Sequence, residues 1–232
     1  QATPRGGVIS GSSSIMRMNG WNWEDATINE NDGIHLNWPN SMQGGGWWAE
    51  PEPKKRNEKY NTQIKEIYNF FEISEAHSKT KDLNSDIRLA AMAECFNGDK
   101  RVYIHAGELQ QLLDVIEFSR HFKLKYPVII GGADAYLVTQ QLRDSKIPVM
   151  IDRPHMLPDK EGDDIDQPYK LAALLQEGNV KFCIQNAGGM EAMNARNLPF
   201  LAGTAMAYGL TEEEAVASIS LSSCEIIGIS DE

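Results

Sequence analysis

Apolar and polar positions follow a regular pattern over most of the chain after residue 56. Between 57 and 77 the apolar side chains recur at the spacing of one helix face, which predicts an amphipathic helix. From residue 101 onwards, short apolar runs bounded by turn residues predict strands at 102–105, 127–130, 147–151 and 181–184. Helical patterns separate these strands. Strands that alternate with helices predict parallel βαβ units, and their apolar character indicates that both sheet faces are covered.

The region after the last predicted strand is helical in pattern. Two helices are predicted there, near 195–208 and 211–219. Thr211 precedes the second helix and Glu214 follows three residues later, which is the spacing of a capping box. The sequence therefore predicts where this last helix begins.

The first 56 residues differ in composition from the rest. They are rich in Gly, Ser and Asn, and they predict short extended pieces at 7–10 and 15–18 followed by loops. All five tryptophans of the chain lie in this segment: Trp21, Trp23, Trp38, Trp47 and Trp48. We therefore divide the sequence into a Gly-, Ser- and Trp-rich segment, 1–56, and a region of βα units and closing helices, 57–232.

The number of predicted units limits the fold. A closed (β/α)₈ barrel needs eight βα units in about 250 residues, whereas only four are clear in this chain of 232 residues. The predicted fold is α/β, part of a barrel that is incomplete in this chain. The alternative is an open doubly wound sheet. That alternative lacks its signature, because no predicted strand is followed by G-x-G-x-x-G and the turn at 131–134 has only two glycines.

Composition narrows the classes of function. The chain has 22 Lys and Arg against 33 Asp and Glu, a net charge of −11, which argues against a nucleic-acid groove. It contains no apolar run of about 18 residues, so no transmembrane helix is predicted. Its three cysteines are far apart and form no C-x-x-C, which argues against a zinc ribbon or a redox motif. The start of the chain carries neither an initiator Met nor an apolar signal core, so we expect it to begin after processing or inside a longer protein.

Several segments resemble proteins of the amidohydrolase superfamily. The run RVYIHA at 101–106 and the following strands are similar to the second half of the superfamily's barrel. The run NLPFLAGTAMAYGLTEEEAVASIS at 197–220 resembles the closing helices of imidazolonepropionase-like members, and PRGGVISGSSS at 4–14 resembles a mid-barrel segment of an exported bacterial branch. The order of these motifs along almost the whole chain makes the resemblance specific.

The resemblance implies a particular architecture and location. It implies a TIM-type (β/α)₈ barrel of the metal-dependent hydrolase kind, of which this chain holds only part. The flanking β-sandwich and the first barrel strand, which carries His-x-His in the family, are absent from these 232 residues. The resemblance also implies an exported, periplasmic protein that is a fragment of a longer one.

The resemblance places a metal site at the carboxyl ends of the strands. The family's ligands are two His on strand one, often a Lys or an acid on strand four, His on strands five and six, and Asp on strand eight. In this chain His105 ends strand five, where a ligand belongs. The strand-six position falls on Gly131 or Gly132, which have no side chain, and the strand-eight position falls on Asn186. An amide is a poor zinc ligand and accepts no proton at neutral pH, so this pattern suggests a pseudoenzyme.

Two further residues are candidate ligands. His155 lies in the acidic loop after strand seven, where an exposed hydrogen-bonding role is the competing interpretation. Asp134 follows the glycine pair and either replaces a lost ligand or caps the helix that begins there. The other three histidines, among them His35, have no ligand-like neighbours in the sequence. The cofactor is therefore Zn²⁺, another divalent metal, or none.

Three functions remain open at this point. The first is a degenerate amidohydrolase-like barrel that acts as a binding or partner subunit, as a homo-oligomer or beside an active paralogue. The second is a metal-dependent hydrolase of non-peptide C–N bonds, of cyclic amide or amidine type, that uses His105 with ligands outside this chain. The third is a module that binds a glycan or another small molecule through Trp47 and Trp48, for which packing or an interface is the competing interpretation.

Overall fold

The chain folds as two compact units, Gln1–Pro127 and Val128–Glu232. The computed structural model describes residues 1–44, 46–47, 50–80, 86–158, 160, 162–186 and 191–230. Parallel strands alternate with helices in both units, so the predicted α/β class is confirmed. The division at residue 56, which rests on composition, stays a prediction. Among the described residues no helix is both long and apolar enough to cross a membrane.

The first unit is built around three long strands and three long helices. Strand β1 pairs antiparallel with β2, and β2 pairs parallel with β7. The elements of this unit are β1 (Ile9–Met16), α1 (Trp23–Ala26), β2 (Thr27–Asn37), β3 (Met42–Gln43), β4 (Gly46–Trp47), β5 (Glu50–Pro51), β6 (Lys55–Arg56), α2 (Tyr60–Ser78), α3 (Ile87–Asn97), β7 (Arg101–Ala106) and α4 (Leu109–His121). The predicted strand at 102–105 and the predicted helix at 57–77 are confirmed.

Strand β2 is the main element that the sequence pattern did not predict. Its apolar residues Ile34 and Leu36 are buried, and they alternate with Gly33, His35 and Asn37 on the other face. The polar residues on this face hide the strand from a prediction based on the sequence pattern, because polar residues are expected to be exposed. His35, in the middle of this face, has no exposed surface. The register of β2 against β7 then decides which polar groups meet.

Aromatic side chains hold the helices of the first unit together. Phe71 of α2 and Phe118 of α4 are fully buried and meet edge to face, with ring centroids 4.8 Å apart. Trp38, in the loop after β2, also meets Phe118 edge to face at 5.2 Å. Burial of each such ring stabilises the fold by about 1.5–3 kcal/mol. The cluster therefore fixes the loop at the carboxyl end of β2 to the helices.

The second unit repeats the strand–helix pattern. Strand β9 pairs parallel with β8 and with β10, and its three residues are all buried. The elements are β8 (Pro127–Gly131), a 3₁₀ helix (Ala135–Val138), α5 (Thr139–Ser145), β9 (Val149–Ile151), α6 (Gln167–Glu177), β10 (Phe182–Ile184), a second 3₁₀ helix (Glu191–Asn197), α7 (Leu198–Ala207), α8 (Glu212–Ile219) and α9 (Leu221–Ile227). The predicted strands are confirmed, and so is the capping box between Thr211 and Glu214.

Candidate functional site

Two histidines meet on neighbouring strands of the first unit. The parallel register of β2 and β7 sets His35 opposite Tyr103 and sets Asn37 opposite His105. His35 and His105 therefore lie diagonally across the strand pair, and Nδ1 of His35 is 3.0 Å from Nε2 of His105. His105 lies near the carboxyl end of its strand, as the sequence predicted. Its partner His35, which the sequence analysis set aside, is 70 positions away along the chain.

Both imidazoles are neutral at pH 7. Burial lowers the pKa of His35 to about 4, and the neighbouring His105 adds to this effect. Burial also lowers the pKa of His105 below its usual value. A neutral imidazole carries one N–H and one bare nitrogen, so one hydrogen lies between the two rings.

The second ring nitrogen of His35, Nε2, has no hydrogen-bond partner among the described residues. Its Nε2 is buried and forms no hydrogen bond with any described residue. If His35 donates to His105, this Nε2 is an unmet acceptor, and if His105 donates, it is an unmet donor. A buried polar atom in this state costs about 1–3 kcal/mol. The pair is therefore a place where a bound group would satisfy a nitrogen that the described protein atoms do not.

A buried polar network supports the ring of His35. The ring of Tyr103 stacks on it with centroids 4.8 Å apart and an angle of 19° between planes. The Tyr103 hydroxyl donates to Oδ2 of Asp32 at 2.6 Å, and Nη1 of Arg101 donates to Oδ1 of the same carboxylate at 3.2 Å. Gly33 makes room for this arrangement, because a Cβ there would lie 2.6 Å from Cε2 of Tyr103. The stack on Tyr103, which Asp32 and Arg101 hold in place, thus fixes the orientation of the His35 ring.

The loops that follow β2 and β7 are tied to each other. The hydroxyl of Ser41 donates to Oε2 of Glu108, and Nε2 of Gln111 donates to the carbonyl of Pro39 at 2.8 Å. Tyr60 adds a further tie, because its hydroxyl donates to Oδ2 of Asp114 at 2.6 Å. These bonds hold the segments that follow β2 and β7, next to His105, in one arrangement.

In the second unit, the backbone at the end of β8 adopts conformations that favour glycine. Gly131 and Gly132 have φ angles of +103° and +63°, which favour glycine over residues with a side chain. A Cβ on Gly132 would also lie 2.6 Å from Cγ1 of Val149. The predicted strand-six ligand position therefore has neither a side chain nor the space to acquire one at 132. Asn186, the strand-eight position, follows the end of β10 by two residues and is half-buried.

The two further candidate ligands of the second unit are already engaged. Asp134 is almost fully buried, and Nζ of Lys160, from the acidic loop, lies 2.5 Å from its Oδ2. It stands at the start of the first 3₁₀ helix but makes no side-chain cap bond there. His155 is exposed, and its Nε2 lies 2.7 Å from the hydroxyl of Thr204. The geometry of His155 agrees with its interpretation as an exposed hydrogen-bonding residue.

The three tryptophans whose side chains the structure describes do not form one surface. Trp38 is buried in the aromatic cluster, whereas Trp21 and Trp23 are 98% and 63% exposed in the connection from β1 to β2. That connection lies at the amino end of β2, away from the end near His35. Trp48 and the side chain of Trp47 lie outside the described residues, so a ligand surface built on them stays a prediction.

Two of the described residues are of a type that binds metal ions, but they do not form a metal site by themselves. Imidazole nitrogens are good ligands for zinc and its neighbours, and His35 and His105 offer two of them. In the part of the chain that the structure describes, no group of three or more His, Cys, Asp or Glu could hold a metal ion. A catalytic zinc site commonly has three protein ligands, which is one more than this pair of imidazoles.

Comparison with known proteins gives one informative likeness. No protein-family model matches the chain. No curated protein matches it either. A solved structure of an amidohydrolase from Thermotoga maritima MSB8 is similar, with a TM-score of 0.74 and 16% sequence identity over 97% of this chain. The chain spans 59% of the length of that structure. At this identity the likeness establishes an amidohydrolase-like fold, while the imidazolonepropionase-like branch stays a prediction.

Proposed function

We propose that this chain is part of an amidohydrolase-like (β/α)₈ barrel that lacks ordinary metal-dependent hydrolysis and acts as a binding or partner subunit. The likeness of fold over 97% of the chain supports the barrel assignment. The observation that carries the loss of hydrolysis is the end of β8, where the resemblance of the sequence predicts a ligand and the chain has Gly131 and Gly132 with positive φ angles.

The backbone at this strand end argues against a simple replacement of the ligand. A histidine at 131 or 132 would have to adopt a positive φ angle, which costs residues with a side chain of the order of 1 kcal/mol or more. At 132 its Cβ would also collide with Val149. Asn186 adds a second change, because a neutral amide does not take a proton from a bound water. The loss of hydrolysis thus rests on two separate strand ends.

The proposed role as a binding or partner subunit rests on the first unit. The hydrogen bond between Ser41 and Glu108 and the buried nitrogen of His35, which has no partner among the described residues, support a binding role for this end of β2 and β7. An exported location and an active paralogue or second copy as partner follow from the resemblance of the sequence, and they are part of the proposal.

The second candidate is a hydrolase of non-peptide C–N bonds, such as cyclic amides or amidines. The observation that favours it is the meeting of two neutral imidazoles at His35 and His105. A bound metal would supply a Lewis acid and an acidified water. The remaining ligands would come from outside the described residues, because Lys160 engages Asp134 and Thr204 engages His155.

A turnover assay on the full-length protein separates the two candidates. The zinc-supplied protein is screened against cyclic amides and amidines beside a His105→Ala variant. His121→Ala is the matched control, since His121 is an exposed histidine at the end of α4. We expect the same background rate from all three proteins. Turnover that disappears in His105→Ala and survives in His121→Ala would refute the proposed loss and establish the hydrolase.

A further inference from the structure

The chain contains two Asn–Gly dipeptides, Asn19–Gly20 and Asn97–Gly98. In such a dipeptide the main-chain nitrogen of the glycine is able to attack the side-chain carbonyl carbon of the asparagine, because glycine has no side chain to shield its nitrogen. The attack closes a five-membered ring and releases ammonia. It requires that the nitrogen, the amide and the backbone between them are free to meet, and the two dipeptides differ in these respects.

The dipeptide Asn97–Gly98 is held at the end of a helix. Asn97 is the last residue of α3, and Gly98 caps this helix with a φ angle of +84°. The N–H of Gly98 donates to the carbonyl of Glu94, and Oδ1 of Asn97 accepts from the N–H of Asp99 at 3.1 Å. Ring closure would also require Asn97 to leave its helical ψ angle, because in a helix the following nitrogen is rotated away from the side-chain carbonyl. Both reacting groups are therefore engaged.

The dipeptide Asn19–Gly20 is not held in this way. It lies in the connection from β1 to α1, and both of its residues are exposed. Among the described residues, none accepts a hydrogen bond from the N–H of Gly20 and none bonds to the side-chain amide of Asn19. Neither residue belongs to a helix or a strand, so no main-chain ladder has to break before the ring closes. The attacking nitrogen and the amide are both open to water.

The packing of the connection requires a glycine at position 20. A Cβ there would lie 2.6 Å from the main-chain nitrogen of Ala26 and 2.7 Å from its Cα. The N–H of Arg17 donates to the carbonyl of the same alanine at 2.6 Å and closes the connection. A residue with a side chain at position 20 would displace this backbone. The fold therefore keeps beside Asn19 the one neighbour that leaves the asparagine most reactive.

We propose that Asn19 is a site of spontaneous deamidation in the folded protein, whereas Asn97 is protected. Gly20 loses its amide proton to a solvent base, and its nitrogen forms a bond to Cγ of Asn19. The side-chain nitrogen leaves as ammonia with the proton that it takes up, which gives a cyclic imide. Water then adds to either carbonyl of the ring and opens it to aspartate or isoaspartate. The step consumes one water and involves no oxidation or reduction.

The modification changes the connection that carries the exposed tryptophans. It adds one negative charge two residues before Trp21, which is 98% exposed, and close in sequence to Glu24 and Asp25. Isoaspartate also lengthens the main chain by one carbon between β1 and α1. This reaction needs only water and the residues of the connection, so it is independent of the proposed function.

The test follows deamidation of the full-length protein in a mildly alkaline buffer, in the native state and in urea. Tandem mass spectrometry of the tryptic peptides 18–54 and 89–100 locates the modified residue, and Asn97 is the only asparagine of the second peptide. In the native state Asn97 should react at least about tenfold more slowly than Asn19, because the bonds of the α3 cap must open first. In urea the two rates should be similar, since both asparagines precede glycine.

The variant Asn19→Gln is the matched control. It keeps an amide at position 19 but would have to close a larger ring, so the main acidic species that forms on storage of the wild type should disappear from anion-exchange chromatography. Three results would overturn the inference: an Asn19 that is as protected as Asn97 in the native protein, equal native rates at the two dipeptides, or a main acidic species that persists in Asn19→Gln.

Discussion

The replacement of Gly33 by Ala tests how closely β2 and β7 approach beneath the histidine pair. A Cβ at this position would lie 2.6 Å from Cε2 of Tyr103 and 2.8 Å from the carbonyl oxygen of Arg101. Carbon atoms in contact are normally about 3.5–4.0 Å apart, so the methyl group penetrates its neighbours by about 1 Å. The ring of Tyr103 is fully buried, and the carbonyl belongs to the paired strand. Neither can move without disturbing the sheet.

The expected magnitude follows from this overlap. Insertion of a methyl group into a packed site destabilises proteins by about 1–3 kcal/mol, and the gain from replacing glycine in a strand offsets about 0.5–1 kcal/mol of it. These ranges leave a net loss of about 0–2.5 kcal/mol. Because the overlap is with a fully buried ring and a strand carbonyl, we expect Gly33→Ala to lower the free energy of unfolding by about 1–2 kcal/mol, measured by urea denaturation. Displacement of Tyr103 should also disturb the stack on His35, which is visible in the ring ¹⁵N shifts.

A matched control is available at Gly203. This residue lies within α7, and a Cβ there meets nothing within 4 Å. Because alanine is a better helix former than glycine by up to about 1 kcal/mol, Gly203→Ala should leave stability unchanged or raise it. If Gly33→Ala is as stable as the wild type while Gly203→Ala behaves as expected, the close approach at Gly33 is wrong.

Three further predictions concern single contacts. Tyr103→Phe removes a hydrogen bond to the buried carboxylate of Asp32 and should lower the free energy of unfolding by about 1.5–3 kcal/mol in urea denaturation; an unchanged midpoint would contradict this bond. Thr211→Ala removes the capping box of α8 and should lower the free energy of unfolding by about 1 kcal/mol, measured by thermal denaturation. Thr211→Ser, which keeps the capping hydroxyl, should be about as stable as the wild type in the same assay. Burial raises the pKa of Cys95 to about 12 and that of Cys183 to about 11. These thiols should therefore react with iodoacetamide at pH 8 far more slowly in the folded protein than in urea, as followed by mass spectrometry, and equal rates in both states would disprove their burial.

The strands of the second unit were predictable because their pattern is local. Strands β8, β9 and β10 are short apolar runs bounded by turn residues, and each is buried. A strand covered on both faces has no polar side to interrupt the run. The helix α2 was predictable for a similar reason, since its apolar residues recur at helical spacing and two of them, Ile67 and Phe71, are buried.

Strand β2 and the role of His35 were not predictable in the same way. One face of β2 carries Gly33, His35 and Asn37, which resemble a loop when read along the sequence. The alternation of Ile34 and Leu36 with these residues was the available signal. It was weak because burial on the polar face depends on the neighbouring strand, which the sequence does not specify.

In the candidate site, too, some features follow from the local sequence and others only from the tertiary structure. The sequence by itself determined the capping box of α8, the apolar strands and the positions of His105, Gly131 and Asn186 at or just after strand ends, because these depend on residues close together in the chain. Only the tertiary structure decided that His35 meets His105. Two residues 70 positions apart come within 3.0 Å through the register of β2 against β7. The same packing buries His35 fully and His105 in part, and this burial lowers the pKa of both rings.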